Sequence, residues 1–386
     1  MERQAFYIYK RRRGKQDPIF YVQFRGADGV LGKSISTQQT SKAAATTWVA
    51  CYLAENNDRQ TGAASGTFGD FARGWWVPET CPYVRAKRAR GFHISDSYID
   101  FRRNNLKLHV LPIFGEVRLT EITPRMIEDW VLGWYETKTS APATINRALG
   151  TLKLMLKEAV RLGYLNGNPA AAVGELKETP AERGTLTLAE MLLLFNVHTI
   201  DTVWSNHYHF AANILAAWSG MRLGEVQALQ RRYVFPHHVE IVHSWHDHYG
   251  LTQPKWNSVR ISTIPARVSA ALFDVMEENP YKDPETLVFA ASRPDQPLSK
   301  TALLGQYRHA LVKIGIDAKA QQERGLCFHS WRHGLNSLMR GQVGDEMIRR
   351  VLGHKTPAMT EGYDHVTPEL LAPVLAAQER LFNGEA

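Results

Sequence analysis

Apolar residues recur at intervals of three or four along most of the chain, the spacing that places side chains on one face of a helix. The most regular stretch carries Ile145, Leu149 and Leu156 on one face, with Lys153 and Lys157 on another. Weaker repeats of the same kind begin near residue 67 and continue to near residue 374. The pattern therefore predicts a mainly helical chain over this region.

Polar residues directly before these repeats predict where several helices begin, because a Ser or Thr side chain accepts a hydrogen bond from a first-turn N–H group. The candidates are Thr67, Ser95, Thr123 and Thr187. Pro124 follows Thr123 at the first helical position, where a missing N–H is tolerated. Glu190, three residues after Thr187, completes a capping box that opens a helix toward residue 195.

The first sixty residues follow a different pattern, with short β-branched and aromatic runs separated by turn signals. Runs at residues 5–9, 19–24 and about 30–36 predict three strands, and residues 41–53 then predict one helix. The loop between the first two strands is basic and carries Arg11, Arg12, Arg13 and Lys15. Because a β-ribbon fits the major groove, this loop is predicted to contact DNA; a solvated run of charge is the alternative.

Two polar stretches without periodicity, at residues 56–66 and 166–184, are typical of linkers. They divide the chain into a small β unit, a helical domain, and a larger helical domain with a short sheet near residues 239–264. The predicted bounds are 1–60, 67–168 and 183–372, followed by a tail at 373–386. The predicted fold class is α+β and mainly α.

The chain carries a formal net charge of +8, which favours a polyanionic partner such as nucleic acid. The helical domain concentrates part of this charge in Arg85, Lys87, Arg88, Arg90, Lys153 and Lys157. Cations on helix faces can hold DNA phosphates, which supplies affinity without sequence reading. Ordinary solvated helix faces are the alternative interpretation.

Composition argues against several other classes of protein. Hydrophobic residues make up 44% of the chain, as in ordinary globular proteins, and no run of about 18 apolar residues predicts a membrane helix. Residues 1–10 lack the apolar stretch of a secretory signal. The three cysteines, Cys51, Cys81 and Cys327, are too widely spaced for a disulfide framework or a CxxC metal motif. We therefore expect a reduced protein of the cytoplasm, without membrane contact.

A cluster of histidines raises the question of a metal site. Its members are His237, His238, His243, His246 and His248. Histidine is a common zinc ligand, but no cysteine or second cluster would set the geometry. His246 and His248 are predicted to share one face of a strand, with Asp247 on the other. A solvated hairpin near DNA is the preferred interpretation, and no metal is expected.

The region after residue 219 carries four short motifs. They are an arginine with a carboxylate three residues later, a lysine on a predicted hairpin tip, an HxxR pattern, and a Gly-His pair before a tyrosine. Their residues are Arg222 and Glu225, Lys255, His329 and Arg332, and His354 and Tyr363. Each motif alone is common. The ordered set resembles that of the tyrosine recombinases, or phage integrases, closely over about residues 185–372 and more loosely over 67–165. Residues 1–60 resemble the arm-binding domain found on many integrases.

The resemblance implies that Tyr363 attacks a DNA phosphodiester and forms a 3′-phosphotyrosine link, with neither ATP nor a metal ion. Arg222 and Arg332 would hold the non-bridging oxygens by charge-assisted hydrogen bonds and stabilise the transition state. Lys255 would protonate the departing 5′ oxygen, although Arg260 is a nearby basic alternative.

The remaining residues of the set would transfer protons, bind the phosphate or orient another side chain. His329 would accept or relay the tyrosine proton, His354 would donate to the phosphate, and Glu225 would orient Arg222 or His329. Two departures from the family pattern are Gly334, where Thr or Ser is usual, and the bulky Trp331.

The resemblance further implies a homotetramer on double-stranded DNA attachment sites, which exchanges strands through a Holliday junction. The expected role is integration or excision of a phage or other mobile element. A need for an excision factor or a DNA-bending protein stays open. The alternatives are a chromosome-dimer resolvase or transposon recombinase, a DNA-binding accessory protein, and a monomeric type IB topoisomerase.

After the predicted nucleophile, Thr367 and Pro368 are predicted to open a short amphipathic helix that includes Leu371, Val374 and Leu381. Its apolar stripe needs a groove. Docking on the chain's own core and docking on a neighbouring protomer are both open.

Overall fold

The structure is a computed structural model, and the chain divides into two compact units, residues 1–179 and 180–386. The described residues are 6–11, 18–24, 31–49, 52, 66–179, 183–196, 198, 200–254, 258–353, 368 and 371–384. Six of the predicted functional residues lie outside these ranges, namely Arg12, Arg13, Lys15, Lys255, His354 and Tyr363.

The first unit begins with the predicted small sheet. Its three antiparallel strands are β1 (Phe6–Arg11), β2 (Ile19–Phe24) and β3 (Ile35–Ser36), in the order β1-β2-β3. Residues 42–49 form helix α1, and the ring of Tyr52 stacks on Phe24 at 5.3 Å between centroids. The sheet-and-helix prediction is confirmed, but only two residues of the third run pair with β2.

The rest of this unit is helical, as predicted. Its helices are α2 (Phe68–Ala72), α3 (Pro82–Ala89), α4 (Asp96–Asn105), α5 (Leu111–Phe114), α6 (Pro124–Glu136) and α7 (Pro142–Arg161). The hydroxyls of Thr67, Ser95 and Thr123 accept the predicted first-turn hydrogen bonds from backbone N–H groups. Fully buried apolar residues such as Phe114 and Leu149 form its core.

A π-helical turn, Leu106–Val110, joins α4 to α5 and was not predicted. Pro112 has no N–H, so the regular hydrogen-bond ladder cannot continue through this position. The N–H of Leu111 instead donates to the carbonyl of Leu106, five residues back.

The second unit contains the remaining elements. The helices are α8 (Leu188–Leu194), α9 (Ile200–Val203), α10 (His207–Ser219), α11 (Leu223–Gln227), α12 (Ala266–Glu278), α13 (Lys300–Lys313), α14 (Ala318–Glu323), α15 (Ser330–Met339), α16 (Asp345–Leu352) and α17 (Ala372–Phe382). The strands are β4 (His238–Ile241), β5 (Ser244–His246), β6 (Gly250–Thr252) and β7 (Arg260–Thr263).

Helix α10 is the centre of this unit, because it is buried from His209 to its end and packs against α12, α13 and α15. The predicted capping box before α8 is present, since Thr187 N donates to Glu190 Oε2 at 2.8 Å and Glu190 N donates back to Thr187 Oγ1. Among the described residues, no helix combines the length and the apolar character needed to cross a lipid bilayer.

Two small antiparallel sheets lie beside the helices. Strand β4 pairs with β7, which is the predicted short sheet, and β5 pairs with β6 as a hairpin. The prediction that His246 and His248 share a strand face is wrong. The chain turns at residues 247–249, and His248 N donates to His246 Nδ1 at 3.2 Å within that turn.

The C-terminal helix α17 begins at Ala372 and not at the predicted Pro368, which lies in a turn. It packs on the unit that carries it. Gln378, which is fully buried, donates through Nε2 to the carbonyls of Trp218 and Thr263 at 2.6 and 3.1 Å. The ring of Phe382 lies 4.8 Å from that of Trp218. In the single chain the apolar stripe is therefore covered in cis, and docking on a second protomer stays a prediction.

Candidate active site

Arg222 stands at the start of α11, directly after a sharp turn at the end of α10. Gly220 makes this turn with φ +64, a left-handed conformation that favours glycine. A Cβ at this position would collide with the Cδ2 atom of Leu352 at the end of α16. The turn thus brings the Arg222 motif against the helix that precedes the predicted His354.

Glu225 binds Arg222 twice and a second arginine twice. It accepts from Arg222 N and Arg222 Nη1, both at 2.8 Å, and from Arg260 Nη1 and Nη2 at 3.1 and 2.7 Å. The Glu225 side chain is 1% exposed. Burial alone would raise its pKa, but the charges and hydrogen bonds of Arg260 and Arg222 outweigh this and lower the pKa to about 2. The carboxylate is therefore ionised.

Arg332 lies on α15 and is buried, with its guanidinium turned toward backbone oxygens. Its Nη1 donates to the carbonyl of Gly220 at 2.8 Å, and its Nη2 donates to the carbonyl of Leu352. Burial first, and then the nearby charges of Arg222 and Arg260, lower the pKa of Arg332 to about 9. The site therefore holds more positive charge than its described carboxylate balances.

His329 directly precedes α15 and lies one turn before His333, and the two rings meet edge to face at 4.8 Å between centroids. Burial lowers the pKa of His329 to about 4, aided by His333 and by the charges of Arg332, Arg183 and Arg222. His329 is therefore neutral near pH 7, and one of its ring nitrogens keeps a lone pair that can accept a hydrogen bond. Burial also lowers the pKa of His333.

Arg260 opens β7 and was considered above only as an alternative to Lys255. Its guanidinium is committed to Glu225, and its Nε donates to the carbonyl of Val351 at 2.9 Å. The side chain is 6% exposed. A guanidinium that is buried and bonded through all three nitrogens is poorly suited to donate a proton to a leaving group.

Lys255 and His354 are predicted to be catalytic, and the described residues next to them in the chain lie close together. Gly353 ends α16 with φ +67, and a Cβ there would lie 2.6 Å from Ser258 Oγ and 2.9 Å from Arg260 Cδ. Ser258 follows Lys255 by three residues, and Gly353 directly precedes His354. The ends of both segments are therefore anchored beside the Arg222 and Arg332 motifs.

The two departures from the family pattern have structural explanations. Trp331 points into the core, where its Nε1 donates to Asn213 Oδ1 at 3.1 Å and its ring packs on Tyr307. A Cβ at Gly334 would find its nearest neighbours at 3.9 Å and beyond, in ordinary contact. Neither position removes a functional group from the site.

The described cations predicted to contact DNA differ in their surroundings. Arg85 and Arg90 are exposed on or beside α3, and Lys157 is exposed on α7. Arg88 is also exposed, but its Nη2 lies 3.4 Å from Asp96 Oδ1. Lys87 lies over the ring of Phe92 at 4.5 Å. The others contact neighbours within the unit: Lys153 lies 3.9 Å from Glu175, and Arg11 lies over the ring of Tyr21. DNA contact by these residues stays a prediction.

Sequence reasoning missed Arg183 and the structural contacts of Arg260. Arg260 was not linked to Glu225, because the two lie 35 residues apart in the chain. Arg183, in a predicted linker, is close enough for its charge to lower the pKa of His329 and of His333. Their signal was only that they are basic. In the part of the chain that is described, no group of three His, Cys, Asp or Glu residues is arranged to hold a metal ion.

Comparison with known proteins adds independent information. A model described as the phage integrase family matches residues 192–369, and a model of the N-terminal SAM-like domain of phage integrases matches residues 92–135. The chain is 25% identical over 308 residues to a protein named as the integrase of prophage phiRv2 from Mycobacterium tuberculosis, covering 77% of this chain and 74% of that protein. It is 23% identical over 322 residues to the integrase of Mycobacterium phage L5, covering 80% and 78%.

Solved structures show the same fold. The Tn1549 transposon integrase in complex with transposon right end DNA is similar with a TM-score of 0.57 and 19% identity, over 78% of this chain and 98% of that one. A lambda integrase tetramer bound to a Holliday junction is similar with a TM-score of 0.57 and 17% identity, over 92% and 98%. The mainly helical fold predicted from the sequence is therefore confirmed.

Proposed function

Because this chain belongs to the phage integrase family, we propose that it is a site-specific DNA recombinase that cuts and rejoins strands through a 3′-phosphotyrosine link. Its role is the integration or excision of a phage or other mobile element. Relatives named as integrases, such as that of Mycobacterium phage L5, support this assignment over most of the chain.

The observation that carries the proposal is the crowding of cations around one carboxylate. Arg222 and Arg260 bond to Glu225, the described carboxylate of the site, and burial together with the charges of these two arginines lowers the pKa of Arg332 to about 9. Such a site is short of negative charge. A DNA phosphodiester supplies that charge, and its non-bridging oxygens match the geometry of guanidinium groups.

In the proposed reaction the phenol oxygen of Tyr363 attacks the phosphorus atom, and the bond from phosphorus to the 5′ oxygen breaks. Arg222 and Arg332 stabilise the charge that develops on the non-bridging oxygens. His329, neutral because burial lowers its pKa to about 4, accepts or relays the tyrosine proton. Because the phosphotyrosine link retains the energy of the broken phosphodiester, religation needs no ATP.

Two more residues complete the proposed set. Lys255 protonates the departing 5′ oxygen, and His354 donates a hydrogen bond to the phosphate. The engagement of Arg260 with Glu225 and Val351 supports giving the acid role to Lys255 instead. Glu225 orients Arg222, because its carboxylate accepts hydrogen bonds from both the backbone N–H and the guanidinium of Arg222.

We further propose that the protein acts on double-stranded attachment sites as a homotetramer in the bacterial cytoplasm or nucleoid. The lambda integrase tetramer on a Holliday junction, which has the same fold, supports this assembly. The three predicted domains would then serve arm binding, core binding and catalysis. Arg11, Arg12, Arg13, Lys15, Arg85, Lys87, Arg88, Arg90, Lys153 and Lys157 are the proposed phosphate contacts.

A covalent-trapping assay tests the function. The protein is mixed with labelled duplex from the junctions of its native element, nicked near the suspected crossover so that the cleaved end diffuses away and the link accumulates. Denaturing gels should show an adduct with the parent and none with Tyr363→Phe. Tyr281→Phe is the matched control, because its hydroxyl donates to the Ser292 carbonyl and to no residue of the proposed site, and it should keep the adduct.

Other outcomes would move the assignment. Adducts with both the parent and Tyr363→Phe would place the nucleophile elsewhere. Retarded DNA without an adduct from the parent would favour the DNA-binding accessory protein. Cleavage that does not depend on the junction sequence would favour the topoisomerase.

A further inference from the structure

The side chain of Arg260 connects three elements that carry or precede residues of the proposed reaction. It leaves β7, the strand that follows the predicted Lys255, and reaches Glu225 on α11 and the carbonyl of Val351 on α16. Its side chain is 6% exposed, so it is not available to contact DNA from the surface. The proposed chemistry leaves this residue without a role.

The first consequence concerns Glu225, which would otherwise belong to Arg222 alone. With both arginines present, each carboxylate oxygen accepts one bond from Arg222 and one from Arg260. Arg222 therefore commits only Nη1 of its guanidinium to this carboxylate and keeps donors for another anion. Its side chain is 27% exposed, against 1% for Glu225.

The second consequence concerns the end of α16. Arg260 Nε holds the Val351 carbonyl, and Arg332 Nη2 holds the carbonyl of Leu352. Carbonyls in the last turn of a helix have no partner within the helix, so these bonds fix its end. Gly353 packs so closely on Arg260 that a Cβ there would lie 2.9 Å from Arg260 Cδ. The predicted His354 follows directly.

We propose that Arg260 is a positioning residue, which shares Glu225 so that Arg222 can face the phosphate and which anchors the chain that leads to His354. This inference rests on the proposed recombinase function. Arg260 does not touch the DNA, so its loss should slow the chemical step without weakening DNA binding.

The test compares Arg260→Met and Arg260→Lys with the parent in single-turnover adduct formation, with protein in excess over the nicked duplex. Affinity is measured separately by gel retardation. Adduct formation should slow by about 100-fold in Arg260→Met, the size of effect that a small misplacement of a catalytic group produces. Arg260→Lys keeps the charge but loses the two-pronged contact, so it should also be slow.

Arg324→Lys is the matched control. Arg324 makes the same kind of contact in the same unit, with Nη1 and Nη2 on the two oxygens of Glu190 at 2.7 and 2.9 Å and a further bond to the Thr185 carbonyl. It should bind and cleave like the parent. Equal slowing in Arg324→Lys and Arg260→Lys would overturn a specific role for Arg260, as would parent-like rates in the Arg260 variants.

A substrate with a methyl group in place of one non-bridging oxygen of the scissile phosphate provides a second readout. This phosphate lacks the charge that Arg222 would neutralise, so the rate ratio of parent to Arg260→Met should shrink on it. If the rate ratio of parent to Arg260→Met is the same on both substrates, Arg260 supports the structure of the protein and does not position Arg222 on the phosphate. Loss of DNA retardation together with the adduct would also contradict positioning.

A double variant, Arg260→Met with Glu225→Gln, separates the sharing of Glu225 from the anchoring of the end of α16. In Arg260→Met, Glu225 loses the partner that contributes most to holding its pKa low, and it should draw Arg222 into a closer pair. Adding Glu225→Gln removes that attraction and should restore part of the rate. No recovery, with an unchanged rate ratio on the methylated substrate, would overturn the sharing of Glu225. If the parent itself forms no adduct, the proposed function fails, and that result is distinct from every one above.

Discussion

Arg332 Nη1 lies 2.8 Å from the carbonyl oxygen of Gly220, although 112 residues separate the two in the chain. This hydrogen bond connects the HxxR motif to the turn that presents Arg222. The carbonyl is available because Gly220 adopts a left-handed conformation, with φ +64, between α10 and α11. The geometry of both phosphate-binding candidates thus depends on one glycine.

Gly220→Ala should destabilise the protein and slow adduct formation. The new methyl group would impose backbone strain and would collide with Leu352, so we expect a loss of about 3 kcal/mol or more in the free energy of unfolding. Urea denaturation measures the stability, and single-turnover trapping below the melting temperature measures the rate.

The control for this substitution is Gly315→Ala. Gly315 also has a positive φ, +90, but nothing lies within 4 Å of where its Cβ would be. It should lose only the strain of about 1–2 kcal/mol. Equal losses at the two positions would show that the contact with Leu352 is not important.

His329 should make stability depend on pH in the acid range. Its pKa is lowered from 6.5 to about 4 by burial and nearby cations, so the unfolded chain takes up a proton before the folded protein does. The stability contributed by neutral His329 is complete above about pH 6.5 and is lost as pH falls toward 4. The urea midpoint of His329→Gln should therefore fall less steeply over this interval than that of the parent.

His207→Gln gives the opposite control. The hydrogen bond to Glu278 raises the pKa of His207 above 6.5, so its contribution is present below about pH 6.5 and is lost as pH rises above it. This variant should leave the slope between about pH 4 and 6.5 unchanged and alter it only above that interval. A His329→Gln curve parallel to the parent curve would contradict the assigned pKa of His329.

The exposed cations of α3 should contribute to DNA affinity through phosphates. Arg85 and Arg90 are exposed at the two ends of this basic stretch. Replacing both by Ala should reduce the slope of log affinity against log salt by about two, because each phosphate contact releases about 0.9 counterion. Filter binding at several salt concentrations, with specific and random duplexes, measures the slopes.

Arg125→Ala is the comparison for this experiment. Arg125 is 90% exposed in the same unit, lies 3.7 Å from Asp129, and is not among the predicted contacts. It should leave the slope unchanged. Equal changes from Arg125→Ala and from the double variant would show that net charge alone, and not the α3 surface, sets the affinity.

Much of the fold was predictable because its signals are local. Thr123 and Thr187 mark helix starts through bonds to residues three positions later, which a sequence displays directly. The π turn before Pro112 was missed, because near-helical spacing persists there and Leu106 and Val110 are buried as in a regular helix.

The residues of the site could be predicted from the sequence for a different reason. Arg222 and Glu225 contact each other across one helical turn, so their spacing is informative. The partners of Arg332 are backbone carbonyls, which carry no sequence signature. Arg260 lies 35 residues from Glu225 in the chain and meets it through the position of β7, which pairs with β4. Tertiary contacts of this kind become visible only in the folded chain.

The saturation of Glu225 by two arginines has a consequence for redirecting the protein to new target sequences. Whether a substitution at position 222, 225 or 260 is tolerated depends on which residues occupy the other two positions. Libraries that randomise them singly would discard combinations that succeed only together. Directed evolution should hold this trio constant or vary it as one block, and place its diversity on exposed surfaces.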